Sequence, residues 1–326
     1  MAKTGSPTIT WGPLIATTVM NYLESGMLRD HVHNRSPFWK WLRAKDRTKR
    51  LTGGERIKLP LMYEGSGNFK RYSGLEQLDV SAFDGITNAF YDWKQAAVAV
   101  IVSGLDKRSN QGESRVRDLT KDKIFQAEAT LADNLASDAF SDGTANGSKQ
   151  TTGLAAMVAT TTTSGTYAAI DAAANDKWRN QISASIGAAA VNLLPALRTL
   201  VNDCGKIAGI EGVPDAIFTT QTVQEALEAL IVPAIRYRGG EKADLSATPV
   251  FKGCEIMLDV KCQSGIIYVL NSRHIFAFVH RDADFSMGES GFQNPVNQDA
   301  YVCPILWQGN MATNLRSALG KGTGVS

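Results

Sequence analysis

Between Asn110 and Gly143 the chain reads NQGESRVRDLTKDKIFQAEATLADNLASDAFSDG, and no other stretch restricts so strongly what it can fold into. Asn110 is placed to cap a first helical turn, with Glu113 in the reciprocal position of a capping box. Val116, Leu119, Ile124, Ala127, Leu131, Leu135 and Ala139 recur near one side of a helix. Neither Gly nor Pro interrupts Glu113 to Ser141, and Gly143 is placed to end the element. At the α-helical rise such a run spans roughly 42 Å, longer than a small domain needs. The pattern predicts a strut, with Val116, Leu119, Ile124, Leu131 and Leu135 as its core-facing set.

The segment before the strut reads as a long hairpin from Gly53 to Gly104. Ile57, Leu59, Leu61 and Tyr63 alternate with Arg56, Lys58, Pro60 and Met62, which predicts a half-buried strand. Pro60 cannot donate to a ladder and places that strand at an edge. The return limb is expected over Tyr91 to Val102, ending in the apolar run Ala96 to Val102. Gly65, Gly67, Gly74 and Gly85 punctuate the stretch between the limbs, which is too long for a tight turn. A lone two-stranded hairpin is marginal in water. Nothing in the chain is obviously spare to cover it, so a neighbouring subunit is the economical cover.

After the strut, Ser141 to Thr166 is rich in Gly, Ser and Thr. Helical spacing resumes near Ser183 with Leu193, Leu194, Leu197, Leu200 and Val201, and Pro195 suits the first turn of a new helix. Pro214 to Thr220 reads as a strand and Gln221 to Ile231 as a helix ending near Pro233. Arg236 to Ser246 reads as an exposed polar loop. Val250-Phe251, Glu255 to Val260, Ile266 to Leu270 and Ile275 to Val279 read as strands of a mixed sheet. Asp282 to Gly291 and Ala300 to Gln308 read as long strands returning to the strut, and Asn310 to Leu319 closes the chain. The class is α+β.

Charge is segregated. The 326 residues sum to +2, yet Arg29 to Arg50 carries eight bases against two acids, 8 − 2 = +6, so the remainder is 2 − 6 = −4. Residues 1–50, with a helix expected over Leu14 to Leu28, read as an arm. Its bases, among them Arg43, Lys45, Arg47, Lys49 and Arg50, suit nucleic acid or an acidic scaffold protein. They equally suit a solvated helix that sets Phe38, Trp39 and Leu42 into a core. Cys204, Cys254, Cys262 and Cys303 form neither a C-x-x-C pair nor a disulfide framework, so reduced thiols are expected. No apolar window is long enough to span a membrane.

Signals for catalysis are poor. Gly288-Glu289-Ser290-Gly291 misses the nucleophile-elbow spacing, and Gly320-Lys321-Gly322-Thr323-Gly324 has no following helix to make a phosphate loop. His31 and His33 lack the further ligands a metal needs. His274 and His280 lie in apolar strands, where Phe276 and Phe278 suit core packing. No catalytic, cofactor-binding or metal-binding residue is assigned.

The order of apolar run Ala96 to Val102, long helix, Asp142-Gly143-Thr144 exit and Gly153-Leu154 resembles the major capsid proteins of tailed bacteriophages with the HK97-type fold, from about Thr52 to Leu319. The resemblance implies an N-terminal arm (1–50), an E-loop hairpin (51–105), a peripheral domain with the spine helix (106–184), an axial domain (185–280) and returning peripheral strands with the C-terminal segment (281–326). It implies that Tyr63, Phe69, Lys70, Arg71 and Tyr72 of the E-loop meet an adjacent subunit, and that Arg43, Lys45, Arg47, Lys49 and Arg50 face the shell interior. Some relatives join Lys to Asn covalently; Lys70 with Asn294 or Asn297 is the candidate pairing here, against a plain surface lysine. Partners would be further copies in hexamers and pentamers, packaged double-stranded DNA bound without sequence preference, and scaffold, portal and decoration proteins. The setting would be a virion assembled in a bacterial cytoplasm, without a membrane or cofactor. A chain that keeps Met1 is expected to have lost no amino-terminal scaffolding segment. Two alternatives stand beside this reading: an encapsulin-like shell that packages cargo protein, and an oligomeric α+β enzyme.

Overall fold

A computed structural model describes residues 36–105, 113–208, 212–236, 250–288 and 291–325, excluding the side chains of 113–122, 190, 207–208 and 231–236. The expected helix over Leu14 to Leu28, the Asn110 cap, His31, His33 and most of the polar loop after Arg236 lie outside the described residues. In chain order, helix α1 (Pro37–Ala44) leads into strand β1 (Thr48–Leu51), hairpin strands β2 (Ile57–Met62) and β3 (Ile86–Tyr91), and β4 (Lys94–Ser103). Helix α2 (Glu113–Asp138) is the strut. Strands β5 (Thr166–Tyr167), β6 (Ile170–Asp171) and β7 (Gln181–Ser183) precede helix α3 (Ala189–Ala208). Strand β8 (Ala216–Thr219) and helix α4 (Gln221–Arg236) follow, then β9 (Val250–Phe251), β10 (Cys254–Leu258) and β11 (Ile267–Leu270). The long strands β12 (Ile275–Met287) and β13 (Ala300–Thr313) and a short β14 (Gly320–Gly322) complete the chain.

These elements form two compact units, each assembled from separate stretches of chain. The first holds the described residues up to Gly53, Lys94–Gly153 and Ala277–Gly309. Its sheet has the order β1-β12-β13-β4. Strand β4 runs antiparallel to β13 from Ser103↔Ala300 to Lys94↔Gly309, and β1 runs parallel to β12 from Thr48↔Ala277 to Leu51↔His280. The strut lies along β4, with Lys123 Nζ donating to the Ile101 carbonyl at 2.9 Å. Ile124, Ala127, Leu131, Leu135 and Ala139 are buried, as are Val100 and Val102 on the strand. Near the end of the strut, Trp39 Nε1 donates to the Leu135 carbonyl at 3.2 Å, and the Phe38 and Phe140 rings lie 5.7 Å apart. Gly153 passes so close to the Asp138, Ala139 and Ser141 carbonyls that any Cβ would strike them.

The second unit holds Gly54–Trp93, Leu154–Phe276 and the described residues from Asn310. Its sheet has the order β7-β14-β11-β8-β10-β9 and is mixed. Helix α3 buries Leu193, Leu197, Leu200 and Val201 in the same core as Ile217, Ile256, Ile267 and Val269. The glycine-rich end of the chain is an internal strand of this sheet. A Cβ on Gly320 would lie 2.8 Å from Cys204 Sγ and 2.9 Å from Leu200 Cδ1, so glycine lets α3 rest directly on β14.

Several boundaries differ from those read in the sequence. The return limb of the hairpin is β3, paired from Met62↔Ile86 to Ile57↔Tyr91, while the expected limb Tyr91 to Val102 mostly becomes β4 and joins β13. Ten consecutive pairs to β13 and burial of Val100 and Val102 hold it there. Residues 36–51 are not a free arm, because α1 buries Phe38, Trp39, Trp41 and Leu42 and β1 joins the first sheet. The expected strands Ile275 to Val279 and Asp282 to Gly291 are one strand, β12, ending at Met287. Pro195 lies inside α3 rather than starting a helix, and α4 continues through Pro233 to Arg236. A proline removes one helical hydrogen bond, and the continuous buried face of α3 offsets that loss.

Leu135 is 1% exposed at the junction of strut, α1 and sheet. Leu135→Ala is expected to lower the unfolding free energy of the subunit by about 2–5 kcal/mol, as buried leucine truncations do. Denaturant unfolding measures it, and an unchanged midpoint would remove Leu135 from the core.

Candidate assembly surfaces

The hairpin combines a fixed root with an uncovered tip. At the root, the Tyr91 hydroxyl donates to the Thr313 carbonyl at 2.6 Å and accepts from the Thr313 amide at 3.2 Å. Tyr91 meets Tyr167 edge-on at 5.7 Å, and Tyr167 stacks with Trp178 at 6.4 Å. Buried Arg316 lies over the Tyr167 ring and donates to the Met157 and Ala156 carbonyls at 2.7 and 3.2 Å. Ala168 and Ala169, both at positive φ, form the tight turn between β5 and β6, and the Ala168 carbonyl accepts from the Phe90 amide at 3.1 Å. Lys177 Nζ donates to the Tyr63 carbonyl at 2.9 Å, and Trp93 Nε1 to the Gly54 carbonyl at 2.8 Å.

Beyond that root the character reverses. From Met62 to Asp84 every residue except Asn68 is exposed. Nine of the eighteen exposed large apolar residues among those described lie between Met62 and Ile86. Phe69 is 81% exposed, Val80 is 92% exposed, and Leu75 is fully exposed. Half of that exposed apolar set therefore sits on one hairpin, mostly in the loop that joins β2 to β3, a concentration of the kind that interaction surfaces show.

Tyr63, Phe69, Lys70, Arg71 and Tyr72 are all exposed on the ribbon. The Tyr63 hydroxyl donates to the Asp84 carbonyl at 2.9 Å, and Lys70 Nζ lies 3.3 Å from Glu76 Oε2. Asn294 and Asn297 are exposed in the connection between β12 and β13. Arg43, Lys45, Lys49 and Arg50 are exposed and Arg47 is half-buried. Arg50 makes a 2.9 Å ion pair with Asp284, and the alternation of β1 sets Lys49 on the opposite face from Thr48 and Arg50. Ile124, Leu131 and Leu135 are buried, while the side chains of Val116 and Leu119 lie outside the description.

Three features escaped the sequence reading. Leu75, Leu78, Val80 and Phe83 extend the apolar ribbon, and the interleaving of Leu75, Leu78 and Val80 with Glu76, Gln77 and Asp79 was the available signal. A cavity of about 380 Å³ in the first unit is floored by Trp39, Leu135, Val279, Phe285 and Trp307, with Arg43, Asp46, Thr48, Arg50 and Asp284 around it. Phe285 adopts a left-handed φ of 55° within β12, which gave no sign in the sequence. The third is Glu128, 1% exposed on the strut.

Among the described residues, no three His, Cys, Asp or Glu side chains gather where a metal could bind, and no helix is long and apolar enough to cross a membrane. The four cysteines are buried free thiols. Burial, the largest cause in each case, pushes Cys254 and Cys303 up to about 11 and Cys262 up to about 12. Phe276 and Phe278 are buried, His274 Nδ1 lies 2.9 Å from Asn314 Oδ1, and His280 is half-buried.

Burial also pushes the Glu128 carboxyl up from 4.5 to about 7. A group that holds its proton more tightly when folded contributes stability that is fully present below its unfolded value. That stability declines as pH rises from 4.5 to about 7. Glu128→Gln is expected to flatten the pH dependence of unfolding across this window; an unchanged slope would show that Glu128 does not set it.

No protein-family model and no curated protein sequence matches the chain. Solved structures do. The capsid asymmetric unit of cyanophage A-1(L) superposes with a TM-score of 0.62 at 16% identity, covering 86% of this chain and 90% of the other. The capsid of Myoviridae phage XM1 gives 0.56 at 13% identity, covering 87% and 91%. The SrpI encapsulin of Synechococcus elongatus gives 0.51 at 13% identity, covering 88% and 87%. The strut, the long-stranded sheet, the mixed sheet and the projecting hairpin together make this chain an α+β protein of the HK97-type fold, the fold of tailed-phage capsids.

Proposed function

We propose that this chain is a major capsid protein, many copies of which close into an icosahedral shell around double-stranded phage DNA. The observation that carries the reading is the hairpin: among the described residues, it bears half of the exposed large apolar side chains, on a root fixed by buried hydrogen bonds. Such a ribbon suits a clasp on an adjacent copy. Within the first unit, the strut and the sheet it lies on supply a stiff element to be repeated around symmetry axes, and this role calls for no catalytic residue. Chains assemble in a bacterial cytoplasm and end in the virion, with scaffold, portal and decoration proteins as further partners.

Exposed Lys45 and Lys49 suit an inward surface that meets phosphate without reading bases. The basic residues expected on the interior also include Arg43, Arg47 and Arg50, of which Arg50 is tied to Asp284. A second reading, a shell that packages protein instead of a genome, draws support from the encapsulin superposition.

Electron microscopy of the purified chain tests the assembly claim. Closed shells tens of nanometres across are expected, whereas small discrete oligomers would contradict it and favour an enzyme. Particles isolated from a lysate separate the two shell readings: double-stranded DNA inside supports a capsid, and a cargo protein without DNA overturns it. In those particles Lys45→Gln with Lys49→Gln is expected to lower DNA retention, and unchanged retention would remove both lysines from an inward role.

A further inference from the structure

We propose that Asn146 is a site of spontaneous covalent modification, at which the Gly147 amide nitrogen closes onto the side-chain carboxamide and asparagine becomes aspartate or isoaspartate. The atoms balance without a cofactor. As the Gly147 nitrogen bonds to Asn146 Cγ it gives up its proton, and the side-chain nitrogen leaves with that proton as ammonia. Water then opens the cyclic succinimide at either carbonyl. One opening leaves aspartate; the other leaves isoaspartate, whose main chain runs through the former side chain. Nothing is oxidised or reduced, and water and ammonia are the only species exchanged.

Ring closure needs an unhindered nitrogen after the reacting residue, a side chain that nothing else holds, and a backbone able to swing. The sequence has one Asn-Gly step, Asn146-Gly147, and two Asp-Gly steps, Asp84-Gly85 and Asp142-Gly143. The structure separates the three. Asn146 (φ 54°, ψ 37°) and Gly147 (φ 68°, ψ 40°) are the central residues of a tight left-handed turn. Thr144 to Lys149 are all exposed, and the Asn146 side chain makes no hydrogen bond to a described residue. A Cβ added to Gly147 would meet nothing. The ends of the turn are held instead: the Ser148 amide donates to the Thr144 carbonyl at 3.1 Å, and Lys94 Nζ donates to the Ser148 carbonyl. The 146–147 peptide must leave the left-handed turn for its nitrogen to face Cγ, and nothing packed against Gly147 opposes that swing.

The two aspartates are placed otherwise. Asp142 Oδ1 accepts from the Thr144 amide at 3.0 Å and from the Thr144 hydroxyl at 2.8 Å. Those bonds hold its carboxyl below the ordinary range, and an ionised carboxylate resists attack by an amide nitrogen. Gly143 is also packed, since a Cβ there would lie 3.0 Å from Thr152 Cα. Asp84 Oδ1 accepts from the Ile86 amide at 3.3 Å, and Gly85 lies against the Glu64 carbonyl. Each event at Asn146 adds one negative charge beside Lys149 and the carbonyl that holds Lys94. Isoaspartate also lengthens the main chain of the turn by a methylene. The loop after the strut thereby gains charge as the chain ages.

Ageing the purified, folded chain at mildly alkaline pH tests the site. Peptide mass spectrometry is expected to find the Asn146 peptide heavier by the exchange of NH2 for OH and split into two chromatographic forms. An isoaspartyl methyltransferase is expected to label the later-formed isoaspartate in that peptide. Buried Asn271, in an Asn-Ser step, is the internal reference and should stay unchanged. Asn146→Gln, at an exposed position, is expected to abolish the label, because glutamine must close a larger ring. Label at the parent level in Asn146→Gln, or conversion of Asp84 or Asp142 in place of Asn146, would overturn the proposal. So would an intact Asn146 in the folded chain once the urea-unfolded chain has converted, since the fold would then be what protects it.

Discussion

The root of the hairpin is held by interactions largely buried from water. Tyr91 exchanges two hydrogen bonds with the Thr313 backbone, and Arg316 donates to the Ala156 and Met157 carbonyls at the end of the one-turn helix Leu154–Met157. The aromatic rings of Tyr91, Tyr167 and Trp178 fill the space between these polar groups. A buried guanidinium is costly unless its donors are satisfied, and here carbonyl oxygens and a ring face take that role. Burial lowers the Arg316 pKa, while the neighbouring tyrosines favour the charged form. With the root fixed, the exposed apolar surface of the tip is available to another molecule.

The first unit answers a different demand. Its strut and sheet share one buried layer, and α1 docks on the end of that layer through the Trp39–Leu135 hydrogen bond. The basic stretch that begins in α1 is therefore anchored by aromatics while most of its charges remain exposed. The alternation of β1 then divides those charges: Arg50 shares a face with the cavity, and Lys49 lies on the other. One short segment thus presents cations to two surroundings.

Much of the fold was legible because its signals were local. The strut announced itself through helical periodicity and an uninterrupted run, and the α+β organisation followed from the order of its elements. What was hidden depended on distant partners. Asn88 and Ala89 weaken the strand pattern of β3, so the limb beside it looked like the better match for β2. Thr48 to Leu51 reads as a basic run and becomes a strand only because β12 offers it a parallel edge. Gly320 and Gly322 carry no strand signal at all, and their place in the sheet follows from the closeness of α3 and Ile186. Of the candidate surfaces, the aromatic part of the ribbon came only with the family resemblance. The cavity was not, because it joins α1, β12 and β13 from opposite ends of the chain.

The central claim is that the ribbon between Met62 and Ile86 gains its cover from another copy. Hydrogen exchange of the same chain in two states, dissociated subunits and intact particles, measures this most directly. Amides from Ser66 to Gly85 should exchange quickly in the subunit and become protected in the particle, while the β11 and β13 amides stay protected in both. Equal exchange of the ribbon in the two states would contradict the account.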